Sequence, residues 1–198
     1  MNTIAERPTV IHNVVVNGKK GPHTADDLLH MPDGDRFELI NGHLVERHMG
    51  QESSAVAVAI SGILREFVRS RRLGSLTGPD GGFQIFPEGD KKVRFPDVAF
   101  VAREKLPDGK PFKGHATVPP DLAVEVVSPN DTAEEVEAKR VAFLSVGVRL
   151  MWIVYPESRT VHVHRYDGTA RILTTASEID GDDVLPGFTA KVSDFFAD

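Results

Sequence analysis

The segment 122–127, Leu-Ala-Val-Glu-Val-Val, constrains the fold more than any other part of the chain. Apolar residues occupy both parities of this run, the pattern of a strand covered on both faces. A second such run, 151–155, reads Met-Trp-Ile-Val-Tyr. Between the two, a helical pattern opens at Asp131 or Thr132, continues to about Ser145 and is stopped by Gly147. A longer helix is expected from about Ser53 to Arg72, where Val56, Ile60, Ile63, Leu64, Phe67 and Val68 recur at helical spacing. Strands that need cover on two sides, with two long helices to supply it, predict an α/β (α+β) fold with a central mixed β-sheet flanked by helices.

Shorter signals fill in the order of elements. Asn41-Gly42 sits between two β-type runs in 36–47, the signature of a type I′ hairpin. Strands are expected at 75–77, 82–86 and 97–102, and an irregular loop at 106–120, which holds four prolines and two glycines. Residues 161–166 and 170–175 should form a hairpin through Asp167-Gly168, and a short helix should begin at Ser193. Residues 1–22, with Pro8, Gly18, Gly21 and Pro22, read as an arm with one strand at 14–16. Thr24 then caps a short helix, and 23–198 reads as a single domain.

Composition excludes several chemistries. With no cysteine, the chain has no disulfide, thiolate-held zinc, iron–sulfur cluster or thiol nucleophile. Its longest apolar runs are six residues, too short to cross a bilayer, and the N-terminus lacks the apolar core of a signal peptide, so a cytoplasmic protein with no membrane partner is expected. The net charge of −6 argues against general nucleic-acid affinity. A local excess runs against that balance. From Arg65 to Arg94, seven basic residues (Arg65, Arg69, Arg71, Arg72, Lys91, Lys92 and Arg94) face four acids, Glu66, Asp80, Glu88 and Asp90. Such a belt can hold a polyanion, or can be ordinary solvated surface.

Two carboxylates stand where a carboxylate is expensive. Asp97 opens the apolar run Val98–Ala102, and Glu125 sits in the middle of 122–127. A buried carboxylate needs a cation, and two such acids on adjacent strands would suit Mg²⁺ or Mn²⁺. The plainer alternative is that Glu125 pairs with an arginine or lysine, or faces solvent at a sheet edge. Alternation in the Asn41-Gly42 hairpin puts Glu38 on the face away from Phe37 and Leu39, which on pattern alone is a solvent-facing position. Lys139, four residues after Glu135, reads as its surface partner. His162 and His164 share a strand face, yet no third metal ligand is placed near them.

Taken in order, Phe-Glu-Leu-Ile-Asn-Gly at 37–42, Pro-Asp-Val-Ala-Phe-Val at 96–101, the segment 121–131, Lys139 on the next helix and the segment 147–156 resemble one known family. The pattern is similar to the Uma-two family of restriction endonucleases, within the PD-(D/E)XK nuclease superfamily, over some four-fifths of the chain. The resemblance implies a restriction endonuclease-like fold. It makes Asp97 and Glu125 the metal carboxylates, Glu38 an accessory acid and Lys139 the catalytic lysine, because the superfamily's usual lysine position is Val127. It implies Mg²⁺ (or Mn²⁺) as cofactor, DNA as partner and a homodimer. The chain departs from the family where a helix histidine is common (Gln51, Glu52 and Ser53 stand there), at Phe143 in place of tyrosine, and at Leu150 and Met151. These departures keep open a second expectation: a degenerate nuclease-fold module that binds nucleic acid or a partner protein without cutting.

Overall fold

The computed structural model describes residues 15–16, 19–47 and 50–196. Its strands are β1 (Val15–Val16), β2 (Lys19–Lys20), β3 (Phe37–Ile40), β4 (His43–Glu46), β5 (Gly74–Thr77), β6 (Val98–Ala102), β7 (Leu122–Val126), β8 (Leu150–Tyr155), β9 (Thr160–Arg165), β10 (Ala170–Leu173), β11 (Glu178–Gly181) and β12 (Leu185–Lys191). The helices are α1 (Ala25–His30), α2 (Gln51–Arg71) and α3 (Ala133–Ser145). The central sheet has six strands in the order β10-β9-β8-β7-β6-β5. Only β7 and β8 run parallel; the other neighbours are antiparallel. A parallel pair cannot be joined by a tight turn, and α3 is the crossover that joins this one.

Side-chain parity divides the sheet into two buried faces. Val98, Phe100, Val124, Val126, Trp152, Val154 and Val163 pack against the stripe Val56, Ala57, Ile60, Leu64 and Val68 of α2. Phe188 and Phe195, from the C-terminal segment, close the same core and lie against the Trp152 ring. The opposite parity, Ala123, Met151 and Ile153, packs against Phe143, Val148 and Phe86 under α3. Phe143 has no exposure at all and meets Phe86 edge-on at 5.7 Å, so this position is filled by core packing.

The helix signals are realised closely. Thr24 and Asp27 form a reciprocal capping box on α1, and Thr132 and Glu135 do the same on α3. Gly147, at φ 95°, takes the left-handed conformation just past α3. In the β3–β4 turn both Asn41 and Gly42 have positive φ, as a type I′ turn requires. The β9–β10 turn uses another device. Arg165 accepts from the Gly168 amide and donates to the Thr169 carbonyl, with Gly168 at φ 85°, which is a type I turn followed by a bulge.

Three expectations fail locally. Residues 82–86 form no strand; Phe83 makes only single bridges to Arg94 and Ala116. The β11–β12 hairpin lies in a segment where no strand is expected, since its exposed residues hide the alternation. The C-terminal helix is a single 3₁₀ turn, Val192–Phe195. The expected arm falls mostly outside the described residues; β1 and β2 pair with each other. Among the described residues, no helix is long and apolar enough to cross a membrane.

Candidate active site

The register that builds the sheet also assembles the acids. Val98 faces Val124 across the antiparallel β6–β7 pair, so Asp97, one residue earlier, stands opposite Glu125. Because Val98 and Val124 point to α2, Asp97 and Glu125 point to the other face, the one covered by α3. Both are buried, at 8% and 6% exposure. Asp97 accepts a 2.7 Å hydrogen bond from the Val126 amide, which ties the end of β6 to β7.

Lys139 reaches down from α3 onto these acids, its Nζ donating to Glu125 Oε2 at 2.9 Å. It is not the surface partner of Glu135, whose carboxylate is taken by the Thr132 cap. Glu38 is not a solvent-facing residue either. It is 4% exposed, because Leu39 of β3 bridges to Val93 and the segment 93–97 lies over the hairpin. Its carboxylate accepts from Arg94 at 2.9 Å and from the Phe95 amide at 3.1 Å. The structure therefore brings all four sequence-predicted residues, Glu38, Asp97, Glu125 and Lys139, into one electrostatic cluster.

Charge in this cluster is unevenly compensated. Burial pushes Glu125 up to about 7, with Asp97 and Glu38 adding repulsion that Lys139 only partly offsets. Burial also raises Asp97, against the opposing pull of Lys139 and the Val126 amide. Glu38 shows the opposite outcome. Burial would raise it, but Lys139, Arg94, the Phe95 amide and Arg47 together hold it below the usual carboxylate range. Burial works against the Lys139 ammonium, yet Glu125, Glu38 and Asp97 outweigh it and keep the proton on.

Several residues of the site carry weaker sequence signals. Arg94 reads as one member of a basic belt, and its role as the buried partner of Glu38 follows only from the loop that covers the hairpin. Ser128 Oγ lies 2.9 Å from Ser53 Oγ, joining the end of β7 to the start of α2. Asp131 accepts from the Ser128 amide in the turn that follows and adds its charge near Asp97. That turn is legible in Ser-Pro-Asn-Asp at 128–131. The belt itself divides. Lys92 and Arg94 are buried against Glu88 and Glu38, and Arg71 lies over the Phe67 ring at 3.9 Å. Arg65, Arg69 and Arg72 line an open surface along α2 instead.

The matching family model, Uma2, described as "Putative restriction endonuclease", covers residues 25–193. The chain belongs to the Uma2 family. No curated protein matches it. Among solved structures, the chain is similar to one described as a "putative nuclease belonging to DUF820" from Anabaena variabilis. That match has a TM-score of 0.72 at 19% identity, covering 87% of this chain and 97% of the other, and it establishes the shared fold.

The donor set of this Uma2 chain fits a hard dication. Glu125 Oε1 is buried with no hydrogen-bond partner among the described residues, and its neighbour Asp97 is a second oxygen donor on the same face. Among the described residues, no three His, Asp or Glu side chains form a ready-made cage. Mg²⁺ does not need one, since it keeps several waters and commonly takes only one or two protein carboxylates. His162 and His164 sit on β9 with rings 6.5 Å apart, half-buried, as a hairpin pair and not as part of such a cage.

Proposed function

We propose that this chain is a metal-dependent endonuclease that hydrolyses phosphodiester bonds in DNA. The observation that carries the proposal is the placement of Asp97, just before β6, opposite Glu125 of β7, with one Glu125 oxygen unpartnered among the described residues and the other held by Lys139. Mg²⁺ or Mn²⁺ held by these two carboxylates would supply a bound water of lowered pKa and neutralise the scissile phosphate. Lys139, kept protonated by three acids, presents a fixed cation to charge that builds on the phosphate. A lysine whose proton is held this firmly is a stabiliser and not the general base. Glu38, tied at both oxygens by Arg94 and the Phe95 amide, keeps its charge and adds to the field that holds the proton on Lys139. A homodimer, with one site for each DNA strand, and a cytoplasmic setting belong to the same proposal.

The second reading, a binding module that does not cut, is favoured by the departures from the family pattern: Val127 at the usual lysine position, Gln51, Glu52 and Ser53 where a helix histidine is common, and Phe143 in place of tyrosine. Incubating supercoiled plasmid with the protein and Mg²⁺ or Mn²⁺ separates the two. Nicking that disappears in Asp97→Asn and Glu125→Gln supports the nuclease. Wild-type protein that cuts neither the plasmid nor a single-stranded oligonucleotide with either metal overturns it in favour of the module.

A further inference from the structure

A groove of about 290 Å³ opens beside the acids, between α3 and strands β8 and β9. It shares Val127, Asp131 and Val136 with the crevice that holds Glu125 and Lys139. The sheet register explains this continuity. Glu125 pairs with Ile153, and Ile153 pairs with His162, so the acid and the ring lie in one row on the α3 face. Two strand spacings put their backbones about 10 Å apart. That is the scale of a nucleotide and its neighbour along a chain.

The lining shows what kind of group the groove would take. Tyr155, His162 and His164 form its floor, with ring centroids 4.5 Å and 6.5 Å apart in succession. Burial disfavours the charged form of both histidines, and for His164 the nearby Arg140 acts in the same direction. On the wall, Arg140 donates two hydrogen bonds to Glu137, at 2.7 and 2.6 Å, and the two charges cancel. With Arg140 neutralised by Glu137 and Asp131 adding a negative charge at the shared edge, the groove offers little to a phosphate. It suits a flat, uncharged heterocycle, for which stacking is the main source of affinity.

We infer that this groove is the subsite for a nucleobase next to the scissile phosphate, and hence that the preferred substrate presents an unpaired nucleotide. The inference rests on the nuclease reading for its substrate. A base can lie on Tyr155 and His162 only when it has left the duplex stack, as in a single strand, a flap or a bulge. The groove thereby discriminates by strand state and not by sequence.

The test separates binding from cutting. Anisotropy of a fluorescent oligothymidylate is measured with wild type, with a His162→Ala/His164→Ala variant and with a His162→Phe/His164→Phe variant. Circular dichroism and melting temperature verify that each is folded. The alanine pair should weaken binding roughly tenfold, the scale of one lost base–ring stack, and the phenylalanine pair should restore it. Cleavage of single-stranded and fully paired oligonucleotides is then followed with Mn²⁺, where the alanine pair should raise KM for the single strand and leave kcat unchanged. Equal binding by wild type and the alanine pair overturns the groove assignment, as does a wild-type preference for perfect duplex. Groove-dependent binding with no cleavage of either substrate leaves the subsite standing and overturns the nuclease reading instead.

Discussion

Lys139 satisfies only half of Glu125: its ammonium holds Oε2 at 2.9 Å, while Oε1 remains buried and unpartnered among the described residues. Removing the lysine should therefore cost more than losing one surface ion pair. In Lys139→Met the carboxylate would be buried without its counter-charge, a situation that destabilises proteins by about 3–5 kcal/mol until the group takes up a proton. Glu125→Gln in the same background removes the stranded charge and should recover most of the loss. Urea denaturation of the two single variants and the double variant measures the coupling. If the two changes are simply additive, the ion pair contributes nothing.

Glu125 should also make the stability of the metal-free protein depend on pH. A carboxyl that titrates near 7 when folded, and near its ordinary 4.5 when unfolded, binds more protons in the native state across that window. Its contribution to stability is complete below about 4.5 and is lost as pH rises through about 7. Asp97 shifts in the same direction, whereas Glu38, held low, contributes stability that is lost on acidification. Metal-free protein should thus melt at lower temperature at about pH 7.5 than Glu125→Gln, and the gap should close towards about pH 5. A gap independent of pH would rule out Glu125 as the titrating group.

Much of this arrangement is written in the sequence, but unevenly. Glu125 and Asp97 are legible because each interrupts an apolar strand, where an acid demands a reason. The capping threonines, the Asn41-Gly42 turn and the α2 stripe are local signals, complete within a few residues. Glu38 is different. Alternation in a four-residue strand gives its face only if one knows which side is covered, and the cover comes from residues 93–97, more than fifty positions later. Arg94 has the same difficulty, since a basic residue in a basic stretch looks solvated until its partner is known. The β11–β12 hairpin escapes a pattern search because β12 exposes Pro186, Gly187, Thr189 and Lys191 and fully buries only Leu185 and Phe188, three positions apart, which is not the alternation of a regular strand.

The division of the basic belt gives a prediction about nucleic-acid affinity. Arg65 and Arg69 of α2 and Arg72 just past its end line one open surface, about 18 Å or more along the helix from Ser53, whose hydroxyl meets Ser128 beside the acids. They would touch the backbone of bound DNA away from the point of cleavage. Replacing these three with alanine should reduce the slope of log K against log salt by about 2.7, at roughly 0.9 for each phosphate that the protein no longer neutralises. Replacing Arg71, which is occupied with the Phe67 ring, should leave the slope where it was. A slope that does not change in the triple variant would make the stripe ordinary surface.

Asp97→Asn discriminates between a metal site and a structural acid. Asparagine keeps the shape, and its amide oxygen can still accept from the Val126 amide, so the tie between β6 and β7 survives. What disappears is one of two facing negative charges, both of which burial already disfavours. The metal-free variant should therefore be as stable as wild type, or more so. Wild type should gain melting temperature with Mg²⁺ or Mn²⁺ by mass action, since a dication that binds only the folded state shifts unfolding in proportion to the logarithm of its concentration. In Asp97→Asn that gain should vanish, along with any plasmid nicking. The damaging result would be a wild type that neither gains stability with metal nor cuts, together with a variant markedly less stable than wild type. Asp97 would then be a structural acid held by the Val126 amide and the field of Lys139, and the family's chemistry would not apply to this chain.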